Sequence, residues 1–180
     1  MDRNTKRYSS YYEFIKAHIS PKNDTSLVIT NTSLKGGRYH IPDNEYNEFL
    51  RLYYKDVVSK NRDEYLTEKQ LEKNGPIVVD CDFRYDYEVT EKQYNKQHIV
   101  DLIYLYLKKL KEIYQFVDDK NFPVYVFEKP NVNRIKDKNL TKDGIHMIIG
   151  IQSDRATQVL LREEVLKDIG EEWDDLKLKN

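Results

Sequence analysis

Residues 76–83, Pro-Ile-Val-Val-Asp-Cys-Asp-Phe, place two carboxylates two positions apart at the end of an apolar run. Side chains on a strand alternate faces, so Asp80 and Asp82 point the same way as Val78, and Ile77, Val79, Cys81 and Phe83 point the other way. At a rise of about 3.3 Å per residue the two acidic Cα atoms lie roughly 6.5–7 Å apart. That spacing lets both side chains converge on one divalent cation or bridge two. Hard oxygen ligands select Mg²⁺ or Mn²⁺ over zinc, and such ions keep open positions for substrate phosphates. Phosphoryl or nucleotidyl transfer is the chemistry that follows. The β-branched residues before the pair predict an interior strand, where two like charges are costly unless a cation neutralises them. The plainer reading is an exposed edge strand whose acids meet neighbouring lysines.

A second run, Gly144-Ile145-His146-Met147-Ile148-Ile149-Gly150-Ile151, has the same alternation. Ile145, Met147, Ile149 and Ile151 form its core face and leave His146 on the other. If both strands lie in one sheet, His146 shares a face with Asp80 and Asp82 and can reach a triphosphate oxygen. A lone strand histidine is otherwise structural. Between the two runs lies a basic segment from Glu128 to Asp143, read as a loop, whose Lys129, Arg134, Lys136, Lys138 and Lys142 could hold template or nucleotide phosphates. Lys142, nearest the histidine, is the first of these to test. A solvated loop is the alternative. His18, His40 and His98 have no cysteine or carboxylate at metal-ligand spacing and read as structural or surface groups.

These groups need a scaffold. The chain has 180 residues, with 30 Lys+Arg against 31 Asp+Glu, a formal net charge of −1. Charged residues make up 34%, above the usual quarter or so, over a core drawing on 15 tyrosines. Near-neutrality argues against an overall basic coat but leaves room for a local basic groove beside an acidic site. One cysteine, Cys81, excludes a disulfide framework. With no leader peptide and no apolar run near the roughly 18 residues that would span a bilayer, a reducing cytoplasmic or nuclear location without membrane attachment is expected. No Walker loop, dinucleotide glycine pattern, nucleophile elbow or zinc-finger spacing occurs.

Along the chain, helical spacing of Tyr8, Tyr11, Tyr12, Ile15 and Ile19 predicts a first helix closed by Pro21. Residues 26–30 read as a strand, Gly36-Gly37 as a turn and 38–41 as the return strand. Asp43 is placed as the cap of a helix with the stripe Tyr46, Phe49, Leu50, Tyr53 and Val57. Thr67 with Gln70 resembles a capping box for a short helix ending near Asn74-Gly75, and Thr90 with Gln93 another, opening a long helix through Ile99, Leu102, Tyr106, Leu110 and Val117. A strand over 123–127 and a helix over about 154–169 complete an α+β arrangement of helices packed on a mixed or antiparallel sheet. Residues 170–180 show no closing element. Residues 1–75 are expected to form an N-terminal α/β part, and 76–180 the portion carrying the two motifs.

Taken together, the Asp80/Asp82 run and Lys142-Asp-Gly-Ile-His-Met-Ile-Ile149 resemble the first two motifs of the archaeo-eukaryotic primase superfamily. Residues Leu27 to Tyr53 and Phe127-Glu-Lys-Pro-Asn131 look most like the primase-helicases of nucleocytoplasmic large DNA viruses, the giant-virus branch. The resemblance covers most of the chain from about residue 25. It implies a primase-like catalytic core of RNA-recognition-motif type that joins nucleoside triphosphates on a single-stranded DNA template during viral replication. Asp80 and Asp82 would bind the two catalytic metal ions and His146 the incoming triphosphate, and a C-terminal helicase region would follow in the full-length protein. Two departures stand out. Gly144 occupies a position often held by a phosphate-binding serine, leaving its N–H and Lys142 to serve. No third acidic motif is convincing, Trp173-Asp174-Asp175 being a poor match, so the third carboxylate is expected beyond Asn180, and without it the fragment is not expected to be a complete catalyst. A catalytically silent nucleic-acid-binding module of the same fold, or another Asp-x-Asp nucleotide transferase such as a nucleotide-sugar enzyme, remains open.

Overall fold

The computed structural model describes residues 8–24, 26–70, 73–117 and 121–179. The chain divides into two compact units, residues 1–70 and 71–180.

In the first unit, α1 (Tyr11–Ala17) is capped by Ser10, whose hydroxyl accepts the Glu13 N–H. Its Tyr11, Phe14 and Ile15 pack with Phe49 and Leu52 of α2 (Asp43–Tyr53). Asp43 is the first helical residue and not the cap, since Pro42 precedes the helix in extended conformation without a side-chain bond. Leu50, expected in the apolar stripe, is exposed, and Leu52 is buried instead. Beyond Tyr53 the helix widens into a π turn over Tyr54–Val58, with Ser59 N–H reaching the Tyr54 carbonyl. The wider turn carries Asp56 and Val57 inward. Buried Asp56 accepts the Tyr11 N–H at 2.9 Å and Lys60 Nζ at 2.6 Å.

Beside these helices, β1 (Asn31–Ser33) pairs with both β2 (Arg38–Tyr39) and β3 (Leu66–Glu68), all antiparallel. Gly36 and Gly37, at φ 94° and 122°, turn β1 into β2 where a side chain would be strained. The hairpin is therefore real, but its first strand begins at Asn31. The apolar segment 26–30 is not a strand, and its Leu27 and Val28 are exposed. Thr67 lies in β3, not at a helix start. Cross-strand pairing with Thr32 overrides the local capping pattern. Part of the helix expected there, at residues 71 and 72, lies outside the described residues.

The second unit is built on β7 (Leu140–Ser153), a 14-residue strand. Along one edge runs β4 (Gly75–Asp86), paired antiparallel from end to end with an irregularity between Pro76 and Ile77. The other edge is shared by β5 (Val124–Glu128), opposite residues 145–149, and β6 (Asn133–Ile135), opposite 140–142. The basic segment read as a loop is thus partly strand, and the histidine strand starts four residues earlier than expected.

Helices α3 (Lys96–Ile113) and α4 (Arg155–Glu172) cover one face of this sheet. Leu102, Leu105, Tyr106 and Leu110 meet Leu161, Val165 and Ile169 over Ile77, Val79, Phe83, Ile145, Met147 and Ile149. The cap of α3 is Asn95, not Thr90. Its side chain accepts the Gln97 and His98 N–H groups, and His98 Nδ1 accepts the Asn95 N–H. The helix ends before Val117, which is exposed. After α4, Trp173 and Leu176 are buried in the same core, Trp173 lying edge-on to Phe83 and donating to the His98 carbonyl. The C-terminal segment, read as open-ended, therefore closes the core. No described helix is long and apolar enough to cross a membrane.

Candidate active site

Antiparallel register sets the site. Asp80 lies directly opposite His146, and Asp82 opposite Gly144. Because these positions share one pleat orientation, the imidazole and both carboxylates emerge on the face not covered by α3 and α4. His146 Nδ1 is 3.2 Å from Asp80 Oδ1, with the two side chains 57% and 56% exposed. Asp82 is exposed and has no hydrogen-bond or ion-pair partner among the described residues. Cys81, between the two acids, packs toward the core, and burial followed by the flanking carboxylates pushes its thiol up to about 11.

The expectation that β4 is an interior strand fails. Among the described residues it pairs with β7 alone and forms an edge, so its acids are solvated and not desolvated. The apolar residues of the run are explained by the helices on one face. What favours a cation here is two carboxylates on one surface beside a position with no side chain. Two hard carboxylate donors on an exposed face suit a hard divalent cation. Among the described residues no three His, Cys, Asp or Glu side chains form a ready metal cluster.

The basic residues divide. Lys142 shares the open face by alternation, four residues or about 13 Å along β7 from His146, opposite Arg84. Arg134 is committed elsewhere. Its Nε and Nη2 donate to the Tyr87 carbonyl at 3.1 and 3.0 Å, and its guanidinium stacks 4.2 Å from the Tyr87 ring centroid. It clamps β6 to the turn after β4, which explains its place in a basic segment without recourse to nucleic acid. Lys129, Lys136 and Lys138 are exposed, the first just beyond β5 and the others in a 3₁₀ turn.

Gly144 is a steric requirement. A Cβ there would stand 2.6 Å from the Cys81 carbonyl oxygen, a backbone atom that cannot yield without moving β4. Serine does not fit this register. Nor is the Gly144 N–H free, since it donates to Asp143 Oδ1 at 2.9 Å. Asp143 is the residue that sequence reasoning missed. Its side chain is fully buried behind the sheet and receives Lys92 Nζ at 3.1 and 3.2 Å. Lys92 also donates to the Tyr94 hydroxyl, which in turn donates to the Gly144 carbonyl. This brace fixes the backbone of the histidine strand from behind. Burial, then the Asp143 charge, pushes the Tyr94 phenol well above its usual range and keeps it neutral. The only sequence signal for it was the inward parity of Asp143 on β7.

The remaining histidines are structural. His98 Nε2 bonds Asp175 Oδ1 at 2.9 Å, which engages one acid of the poor third-motif candidate. His18 bonds the Phe14 carbonyl and lies 3.3 Å from Glu45, and His40 bonds the Val28 carbonyl.

Comparison with known proteins bears on the family of the chain. The chain is 29% identical over 169 residues to a protein named as a helicase, L207/L206, from Acanthamoeba polyphaga mimivirus. That alignment takes in 92% of this chain but only 17% of the relative's length. The model of the family described as C962R protein N-terminal AEP domain matches residues 30–180. A match over that much of the chain means that it belongs to the archaeo-eukaryotic primase (AEP) domain family, primase-type nucleotidyltransferases that generally work with divalent metal ions.

Proposed function

We propose that this chain is the primase or primase-polymerase domain of a viral primase-helicase, acting at the site of viral replication in the cytoplasm or nucleus. It joins nucleoside triphosphates on a single-stranded DNA template, with residues 76–180 as the catalytic portion and 1–75 as its N-terminal part. The observation that carries the reading is the Asp80–His146 pair, 3.2 Å apart on an open sheet face that Asp82 shares.

In nucleotidyl transfer a hydroxyl group gives up its proton to solvent and its oxygen bonds to the α-phosphorus of a nucleoside triphosphate while the bond to pyrophosphate breaks. Asp80 and Asp82 would hold Mg²⁺ or Mn²⁺, which would supply charge neutralisation for the triphosphate and the departing pyrophosphate. His146 donates a hydrogen bond to the triphosphate, and Lys142 offsets its charge from the far end of the same face. Gly144 contributes a low floor between them and no donor. Lys129, Lys136 and Lys138 are the candidates for template phosphates. The helicase name of the mimivirus relative supports a helicase region elsewhere in the full-length protein.

Primer synthesis by the full-length protein on a single-stranded template tests the reading. The Asp80→Ala/Asp82→Ala variant should fall to background while keeping its thermal stability. Undiminished synthesis by that variant would remove these carboxylates from catalysis. Template binding with no metal-dependent nucleotide binding would favour a silent module.

A further inference from the structure

The open face of the second sheet is graded along the strand direction. Its rows, read across neighbouring strands, run from charged to apolar: Arg84–Lys142–Asn133, Asp82–Gly144, Asp80–His146–Phe127, Val78–Ile148–Tyr125, and Gly150 beside Pro123. Successive rows on one face are about 6.6 Å apart.

Two aromatic rings mark the apolar half. Tyr125 is 55% and Phe127 53% exposed, while Val124 and Val126, which alternate with them, turn to the core. Phe127 is the direct cross-strand neighbour of His146. Among the described residues neither ring stacks on another aromatic. Val78 is also exposed beside them. Pro123 closes the end of the patch, since a side chain at Gly150 would strike its ring at 2.8 Å. Apolar exposure of this kind, contiguous with a polar site and rimmed by it, marks a binding surface.

A nucleotide has the same polarity as this face, with charge at one end and a flat apolar ring at the other. Resting on the metal–triphosphate reading above, we propose that Phe127 and Tyr125 form a stacking platform for the base of the incoming nucleotide, whose phosphates lie over the Asp80, Asp82 and His146 rows. The charge gradient selects this occupant over the template, because the rings adjoin the triphosphate groups directly and not the basic 3₁₀ turn. Every base has an aromatic face, so the platform accepts all four without choosing among them.

Calorimetry on the chain with Mn²⁺ tests the assignment, comparing a nucleoside triphosphate with inorganic tripolyphosphate, which has no base. Phe127→Leu and Tyr125→Leu should each weaken nucleoside triphosphate binding by about five-fold or more. Tripolyphosphate binding should stay within about two-fold of the parent, and Phe127→Tyr, which keeps a ring, should bind as the parent does. Both rings are exposed, so unchanged melting temperatures are expected and make the comparison clean. Equal losses for the two ligands, or nucleotide binding indifferent to ring removal, would overturn the platform. A loss confined to single-stranded DNA binding would also overturn it, giving the rings to the template. Binding of neither ligand by the parent would instead bring down the metal–triphosphate reading on which the platform rests.

Discussion

Two charge pairs sit three residues apart on β7 and face opposite ways. Asp143, behind the sheet, is fully buried and receives Lys92 twice and the Gly144 N–H once, so both of its oxygens are engaged. His146, in front, is more than half exposed, meets Asp80 through Nδ1, and has no partner for Nε2 among the described residues. The first pair is closed and holds backbone; the second is open and has capacity left for a ligand. Burial of a carboxylate, which the sequence argument took as the mark of a metal site, here marks the brace, and the candidate metal acids are the solvated ones.

The largest stability effect should come from opening the closed pair. Lys92→Met leaves the Asp143 charge buried and uncompensated and should cost about 3 kcal/mol in chemical denaturation. His146→Ala, on the open pair, should change stability by no more than about 0.5 kcal/mol. Comparable losses from the two variants would erase the distinction.

The other histidine–aspartate pair of this unit sharpens the point. His98 Nδ1 accepts the Asn95 N–H, so Nε2 carries the proton donated to Asp175, and both nitrogens are used. His98→Ala removes half of a capping box and a buried bond and should cost about 2 kcal/mol in thermal or denaturant unfolding, leaving metal-dependent nucleotide binding unchanged. Gly144→Ser should cost about 1–2 kcal/mol by forcing β4 away from β7. A gain in both stability and nucleotide affinity would contradict the close approach at Cys81.

The smallest effect is a titration. The hydrogen bond from His98, then its proximity, holds the Asp175 carboxyl below its ordinary value. A carboxyl depressed in the folded state adds stability above its ordinary value and loses that contribution as pH falls through the depressed one. Carbon-detected NMR should show Asp175 titrating below free aspartate, and His98→Ala should return it toward normal.

The longer strands and the helices of the second unit were legible because each shows a repeating pattern, whereas the three-residue β6 is too short to show one and read as loop. Alternation in 77–83 and 145–151 places Asp80, Asp82 and His146 on one face, and helical spacing marks α3 and α4. The errors cluster where non-local pairing decides. β3 carries a capping pattern that its pairing with β1 overrides, and 26–30 looks strand-like yet only Thr30 at its end bonds to β2, through the Tyr39 carbonyl. The edge position of β4 is a property of strand order, which its own residues do not encode. Lys92 lies in an irregular segment 51 residues from Asp143, with no local pattern to join them. Phe127 and Tyr125 were readable in principle, since the same alternation that buries Val124 and Val126 must expose them.

Nucleotide binding by calorimetry with Mn²⁺ present and absent, on the parent, Asp80→Ala/Asp82→Ala and His146→Ala, bears most directly on the open face. Affinity in the parent that requires the metal, disappears in the double variant and drops by about tenfold in the histidine variant, with all three equally stable, is the expected outcome. Parent-like, metal-dependent affinity in either variant would contradict the account.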